Sequence, residues 1–114
     1  TGRDGEEMIE PLADVQETDG EIIATMDLPG MDKEDVDIAL SSDELSVVAQ
    51  RKTETGMAEG NFHQRERSYR RFERTISLPA GVKADEARAK LESGVLKISI
   101  PKAVVTTRKR IAID

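Results

Sequence analysis

Ile22-Ile23-Ala24-Thr25-Met26-Asp27-Leu28-Pro29-Gly30 is the stretch that decides the fold. Ile22, Ala24, Met26 and Leu28 are apolar at every second position. A period of two puts those four side chains on one face of an extended chain, whereas a helix would need apolar residues three and four apart. Pro29-Gly30 then ends the strand, because proline removes a backbone donor and glycine accepts the conformations of a tight turn.

The same alternation recurs on both sides of this stretch. It appears in Val36, Ile38 and Leu40, in Leu45, Val47 and Ala49, in Phe72, Ile76 and Leu78, and in Leu96, Ile98 and Ile100. Turn signals separate the runs at Leu28–Asp32, Ser41-Ser42-Asp43, Pro79-Ala80-Gly81 and Ser93-Gly94. Short strands punctuated this regularly predict an all-β chain whose two sheets bury their apolar faces against each other. Two segments resist the pattern. Ala84–Ser93 has the composition of a short helix followed by Gly94. Lys52–Ser68 is a long polar connection without core residues, a length that inside a compact domain marks function or disorder.

Composition narrows the function. The 114 residues suit one domain. The chain has 23 acidic and 17 basic residues, for a net charge of −6, which argues against a general nucleic-acid binder. Aromatic residues make up only 3%, so the core must rest on aliphatic side chains and methionine. There is no cysteine, which removes disulfides and thiol chemistry and fits a reducing compartment. No apolar run reaches membrane-spanning length, and no signal-peptide pattern opens the sequence.

Four stretches, taken together, resemble the small heat-shock protein family, in its bacterial, archaeal and plant branch. They are Asp27-Leu28-Pro29-Gly30 with Asp32–Ile38, Glu66–Arg74 running into Ile76-Ser77-Leu78-Pro79, Ala89–Leu96 with Ile98–Lys102, and the tail Ile111-Ala112-Ile113. Their order and spacing carry the resemblance over residues 11–114. Arg70 stands where family members often have Gly, and Ser93 where they often have Asn. The resemblance implies an immunoglobulin-like β-sandwich, an α-crystallin domain, over residues 11–102. Residues 1–10 would be the remnant of an N-terminal arm, and residues 103–114 a C-terminal extension with an I-x-I motif. It further implies an ATP-independent chaperone that holds partly unfolded proteins in solution, in the cytoplasm, without cofactor or catalysis. Its partners would be unfolded clients and further copies of itself, not nucleic acid or membrane. On this view Ala87–Leu91 is a strand despite its helix propensity. The loop carries a short strand over Asn61, Phe62, His63 and Gln64 that crosses to a second subunit and makes a strand-swapped dimer.

Single residues sharpen these expectations. Arg74 shares the parity of Phe72, Ile76 and Leu78, which puts a guanidinium on an apolar face; the resemblance implies a buried or interfacial arginine paired with carboxylates. Arg65, Arg67, Arg70, Arg71 and Arg74 form a basic run, but Glu66 and Glu73 interrupt it and a period of two splits it between faces. Asp32, Glu34, Asp35 and Asp37 lack the spacing of a calcium loop and read as a solvated turn. His63 is the only histidine, which leaves too few ligands for zinc and places any catalytic triad in the polar loop. Ile111 and Ile113 lie beyond a polar stretch and point to one side of an extended chain. That spacing suits docking at a sheet edge, and the resemblance places the dock in a groove formed by Val36, Ile38, Leu40, Ala89 and Leu91 of another subunit. Two other readings are an adaptor sandwich of the CS co-chaperone type, which lacks such a tail, and an RNA-binding β domain, which would bind oligonucleotides with steep salt dependence.

Overall fold

A computed structural model describes residues 5–56, 65–78, 81–104 and 109–114. Eight strands form among them: β1 (Gly5–Ile9), β2 (Ala13–Glu17), β3 (Glu21–Asp27), β4 (Val36–Leu40), β5 (Glu44–Gly56), β6 (Arg65–Ser77), β7 (Arg88–Glu92) and β8 (Val95–Pro101). They make two four-stranded sheets, ordered β1-β6-β5-β4 and β2-β3-β8-β7. Among the described residues there is no α-helix.

The alternating residues supply the core. In one sheet Ile22, Ala24 and Met26 of β3 stand opposite Ile100, Ile98 and Leu96 of β8. In the other, Leu45 and Ala49 of β5 stand opposite Ile76 and Phe72 of β6. Ile22, Met26, Leu28, Leu45, Val47, Ile98 and Ile100 are the largest side chains fully withdrawn from water, each contributing about 1.5–3 kcal/mol by burial. Leu28-Pro29-Gly30-Met31 closes a type II turn: Met31 N donates to the Leu28 carbonyl at 3.2 Å, and Gly30 takes the positive φ of 79° that this turn requires. Ser93 and Gly94 both have positive φ, 50° and 78°, and form the two-residue loop between Glu92 and Val95. Such a loop matches the twist of the strands it joins.

The structure departs from the sequence-based expectations in three places. Gly5–Ile9, within the expected arm remnant, is a strand: it pairs in parallel with β6, Gly5 opposite Ser68 and Ile9 opposite Phe72, and Ile9 packs on the core. The expected connection over Lys52–Ser68 is shorter, because the β5–β6 ladder runs out to Gly56 opposite Arg65. Those rungs are polar on both faces, so they carry no period-two signal. Finally, Ala84–Glu86 forms a single 3-10 turn and Arg88–Glu92 a strand, as the resemblance implies and against local helix propensity. Pairing with β8, Leu91 opposite Leu96 and Ala89 opposite Ile98, outweighs the propensity. Asn61, Phe62, His63 and Gln64 lie outside the described residues.

Candidate functional site

Each sheet ends in an edge strand on either side of the sandwich. On one flank the edges are β4 and β7. Val36 and Leu40 of β4 and Leu91 of β7, with Ala87 just before it, pack partly buried on the core. Between them the middle of each edge stays open: Ile38 is 38% exposed and Ala89 is exposed. The five expected groove residues therefore fall on the two edge strands that border one flank. At one end the flank deepens into a cleft of about 530 Å³ lined by Gly30–Glu34, Arg51, Leu91, Ser93 and Gly94. That cleft brings the segment leading into β4 against the turn that ends β7, so the two edges run in opposite directions.

The architecture of the flank has local causes. Arg51 Nη1 donates to the Gly30 carbonyl at 2.8 Å and lies 3.4 Å from Asp32 Oδ2, which ties the type II turn to β5. Leu28 N donates to the Gly94 carbonyl at 2.7 Å. The two turns meet there, and Gly94 takes a positive φ of 78° that side-chain-bearing residues rarely adopt. The Asp35 carboxylate accepts from Asp32 N at 2.9 Å and closes the 3-10 turn Lys33–Asp35 that starts β4.

The tail isoleucines stand apart from the sandwich. Ile111 is 87% and Ile113 98% exposed. Side chains this exposed bury almost no apolar area within the chain.

The opposite flank has edges β1 and β2, and here the ties are cationic. Arg74, part-buried on β6, donates from Nη1 to the Pro11 carbonyl at 3.0 Å and to Glu10 Oε1 at 3.1 Å. It thereby pins the segment that crosses from β1 to β2. Lys102 makes a second internal tie, within the sheet of β2, β3 and β8, that the sequence reading missed. Its side chain is 1% exposed and its Nζ lies 2.6 Å from Glu17 Oε2, with a second bond of 3.1 Å to the Thr18 carbonyl. A signal for it existed, since Lys102 continues the inward parity of Leu96, Ile98 and Ile100. Arg51 likewise continues that of Leu45, Val47 and Ala49. Beyond these ties β2 remains a terminal strand, and its inward-facing Val15 is 42% exposed.

The basic run divides as its parity requires. Arg70 and Arg74 share the inward parity of Phe72. Arg71 lies on the other face, 3.3 Å from Glu73 and 3.0 Å from Gln50 Oε1, which also accepts from the Tyr69 hydroxyl. The Tyr69 hydroxyl, with Glu73 beside it, holds the Arg71 guanidinium protonated beyond the ordinary arginine range. Among the described residues no three His, Cys, Asp or Glu side chains are grouped to hold a metal, and no helix is long and apolar enough to cross a membrane.

The sequence profile of the Hsp20/alpha crystallin family matches residues 14–114. Small heat shock protein C2 of Rickettsia felis is 38% identical over 92 residues, 81% of this chain and 60% of that protein. Spore protein SP21 of Stigmatella aurantiaca is 37% identical over 111 residues, 97% of this chain and 66% of that protein. The chain thus spans less than two thirds of the length of either relative. Among solved structures, heat shock protein 16.0 of Schizosaccharomyces pombe superposes with a TM-score of 0.72 at 34% identity, covering 93% of this chain and 99% of that one. A small heat-shock protein of Xylella fastidiosa with a distinct high-order structure gives 0.63 at 36% identity, over 91% and 95% of the two chains.

Proposed function

The chain belongs to the Hsp20/alpha crystallin family, and on that premise we propose that it is an ATP-independent chaperone that binds partly unfolded proteins and prevents their aggregation. The observation that carries this reading is the open apolar flank: two edge strands leave Ile38 and Ala89 accessible over a packed core. Unfolding proteins expose apolar segments with unpaired backbone groups, and an apolar flank bordered by strand edges can take both. Binding of this kind needs no nucleotide, and it cannot refold a client, because a ligand of the unfolded state only draws the equilibrium toward that state.

Assembly governs access to the flank. Ile111 and Ile113 of one copy dock beside Ile38 on another, cover the flank at rest and leave it when contacts loosen. Burying an isoleucine contributes about 1.5–3 kcal/mol, while each ordered tail residue costs about 1–2 kcal/mol, so one such contact is weak and many in a closed assembly add up. The dimer within that assembly forms by strand exchange, with Asn61–Gln64 of one copy extending the terminal strand β2 of another; the accessible edge and the half-open Val15 support this. Arg74 and its partners lie on that same flank, beside the dimer contact. The expected location is the cytoplasm.

Light scattering of a heated client tests the function. Equimolar protein should suppress the rise in scattering, equally with and without ATP. Undiminished aggregation at several-fold excess, or suppression only with ATP, would overturn it.

A further inference from the structure

Sulfur chemistry in this chain belongs to methionine alone, since the sequence holds four methionines and no cysteine. A thioether reacts with a peroxide only where the oxidant reaches its sulfur, so exposure sorts methionines by reactivity. Met26 is 1% and Met31 6% exposed, both within the core, whereas Met8 is 70% exposed. Met57 lies outside the described residues.

The strand that carries Met8 explains the difference. Ile9 packs on the core, and successive residues of a strand point to opposite faces, so Met8 stands on the outer face of its sheet. There it is the register partner of Arg71 on β6. Paired strands lie about 4.8 Å apart, and both side chains line a cleft of about 280 Å³ with Ile9, Glu10 and Glu73. Arg71 donates from Nε to Glu73 at 3.3 Å and from Nη1 to Gln50 at 3.0 Å, out of a planar fork of N–H donors. A thioether sulfur is a weak acceptor for such a fork. A sulfoxide oxygen is polar and accepts well.

We propose that Met8 is an oxidation site of this chain, converted by hydrogen peroxide to the sulfoxide ahead of the core methionines, with the Arg71 guanidinium donating to the new oxygen. A sulfur lone pair attacks one peroxide oxygen, and the S–O bond forms as the O–O bond breaks. The departing hydroxide takes the proton left on the transferred oxygen and leaves as water. Sulfur gives up an electron pair and peroxide accepts it. The product costs the core nothing, because Met8 fills no space there. The same oxygen on Met26 would be buried without a partner beside Leu96, its register partner on β8. At Met8 the hydrogen bond from Arg71 ties β1 to β6, its neighbour in the sheet, so oxidation secures an edge strand instead of releasing it.

Peptide mapping by mass spectrometry after graded hydrogen peroxide tests the site on the whole chain, in a Met57→Leu background. The peptide holding Met8 should gain an oxygen several-fold faster than those holding Met26 and Met31, and in urea all three should react alike. Reaction of Met26 or Met31 as fast as Met8 in the folded protein would overturn the assignment. Hydrogen exchange tests the part given to Arg71. After oxidation the β1 amides should exchange no faster in the parent, and faster in an Arg71→Gln variant. Faster exchange in the oxidised parent, or an Arg71→Gln variant that responds to oxidation no differently from the parent, would overturn the bond to Arg71 while leaving the oxidation site intact.

Discussion

The two flanks of this sandwich solve the same problem in opposite ways. On the side of β1 and β2 two cations each bond one carboxylate and one backbone carbonyl: Arg74 reaches from β6 to Glu10 and Pro11 between β1 and β2, and Lys102 reaches Glu17 and Thr18 at the end of β2. Between β4 and β7 the gap is left apolar and half open. A charge withdrawn from water must find its partners inside the chain, so these two cations gain little from outside. An aliphatic surface has no such requirement and gains from any apolar partner. The difference gives one flank internal ties beside the β2 edge proposed to take a partner's strand, and gives the other an apolar surface.

Three substitutions probe that division. The largest effect on stability is expected at Lys102, whose side chain is 1% exposed. Lys102→Ala should cost about 3 kcal/mol, since it opens a void and strips the Thr18 carbonyl of its partner. Lys102→Met should cost clearly less, because Glu17 can turn to water and an apolar chain fills the space. Arg74→Ala should cost about 2 kcal/mol, for its guanidinium keeps contact with solvent and part of its worth is already screened. Denaturant unfolding measures all three, and equal stability of Lys102→Ala and the parent would show the ties to be decoration.

Deletion of Asn61–Gln64 touches association more than stability. It should turn dimers into monomers in sedimentation velocity, with the sandwich still folded. A tight dimer that survives the deletion would mean that β2 does not receive that segment. The smallest effect on stability belongs to the open flank: Ile111→Ser with Ile113→Ser should change unfolding by no more than about 0.5 kcal/mol while reducing large assemblies to dimers. If that variant lost stability instead, or kept its assembly, the division of labour between the flanks would fail.

Much of this was legible in the residues. The buried strands β3, β5 and β8 announced themselves by alternation, because each faces the core on one side and water on the other. The groove itself came from the family resemblance; parity adds only that Val36, Ile38 and Leu40, and Ala89 and Leu91, share a face of their strands. What escaped had no such two-sidedness. The outer rungs of β5 and β6 are polar on both faces, so only pairing makes them strands. β1 is five residues held by one neighbour, and its single contribution to the core is Ile9. Ala87, Ala89 and Leu91 satisfy a period of two, but Ala87 and Leu91 also fit a helix face, and local sequence cannot choose without β8 beside them. Lys102 and Glu17 escaped for another reason. Both lie on inward parity, but their partnership joins positions 17 and 102, and no local pattern reports a contact across that separation.

The order of strands in the second sheet also governs when the domain can come into being. β8 is the last of the described strands yet stands second from the edge, joining β3 to β7; it contributes Leu96, Ile98 and Ile100 to the core. Until residues 95–101 have left the ribosome, β3 has β2 alone for a neighbour, β7 has none, and Ile22, Ala24 and Met26 have nothing to pack against across the ladder. Pairing so distant in sequence is slow to form, on the order of milliseconds to seconds for sandwiches of this kind. Until then the nascent chain presents the alternating apolar segments of an unfinished protein, and the second sheet is complete only when residues 95–101 arrive.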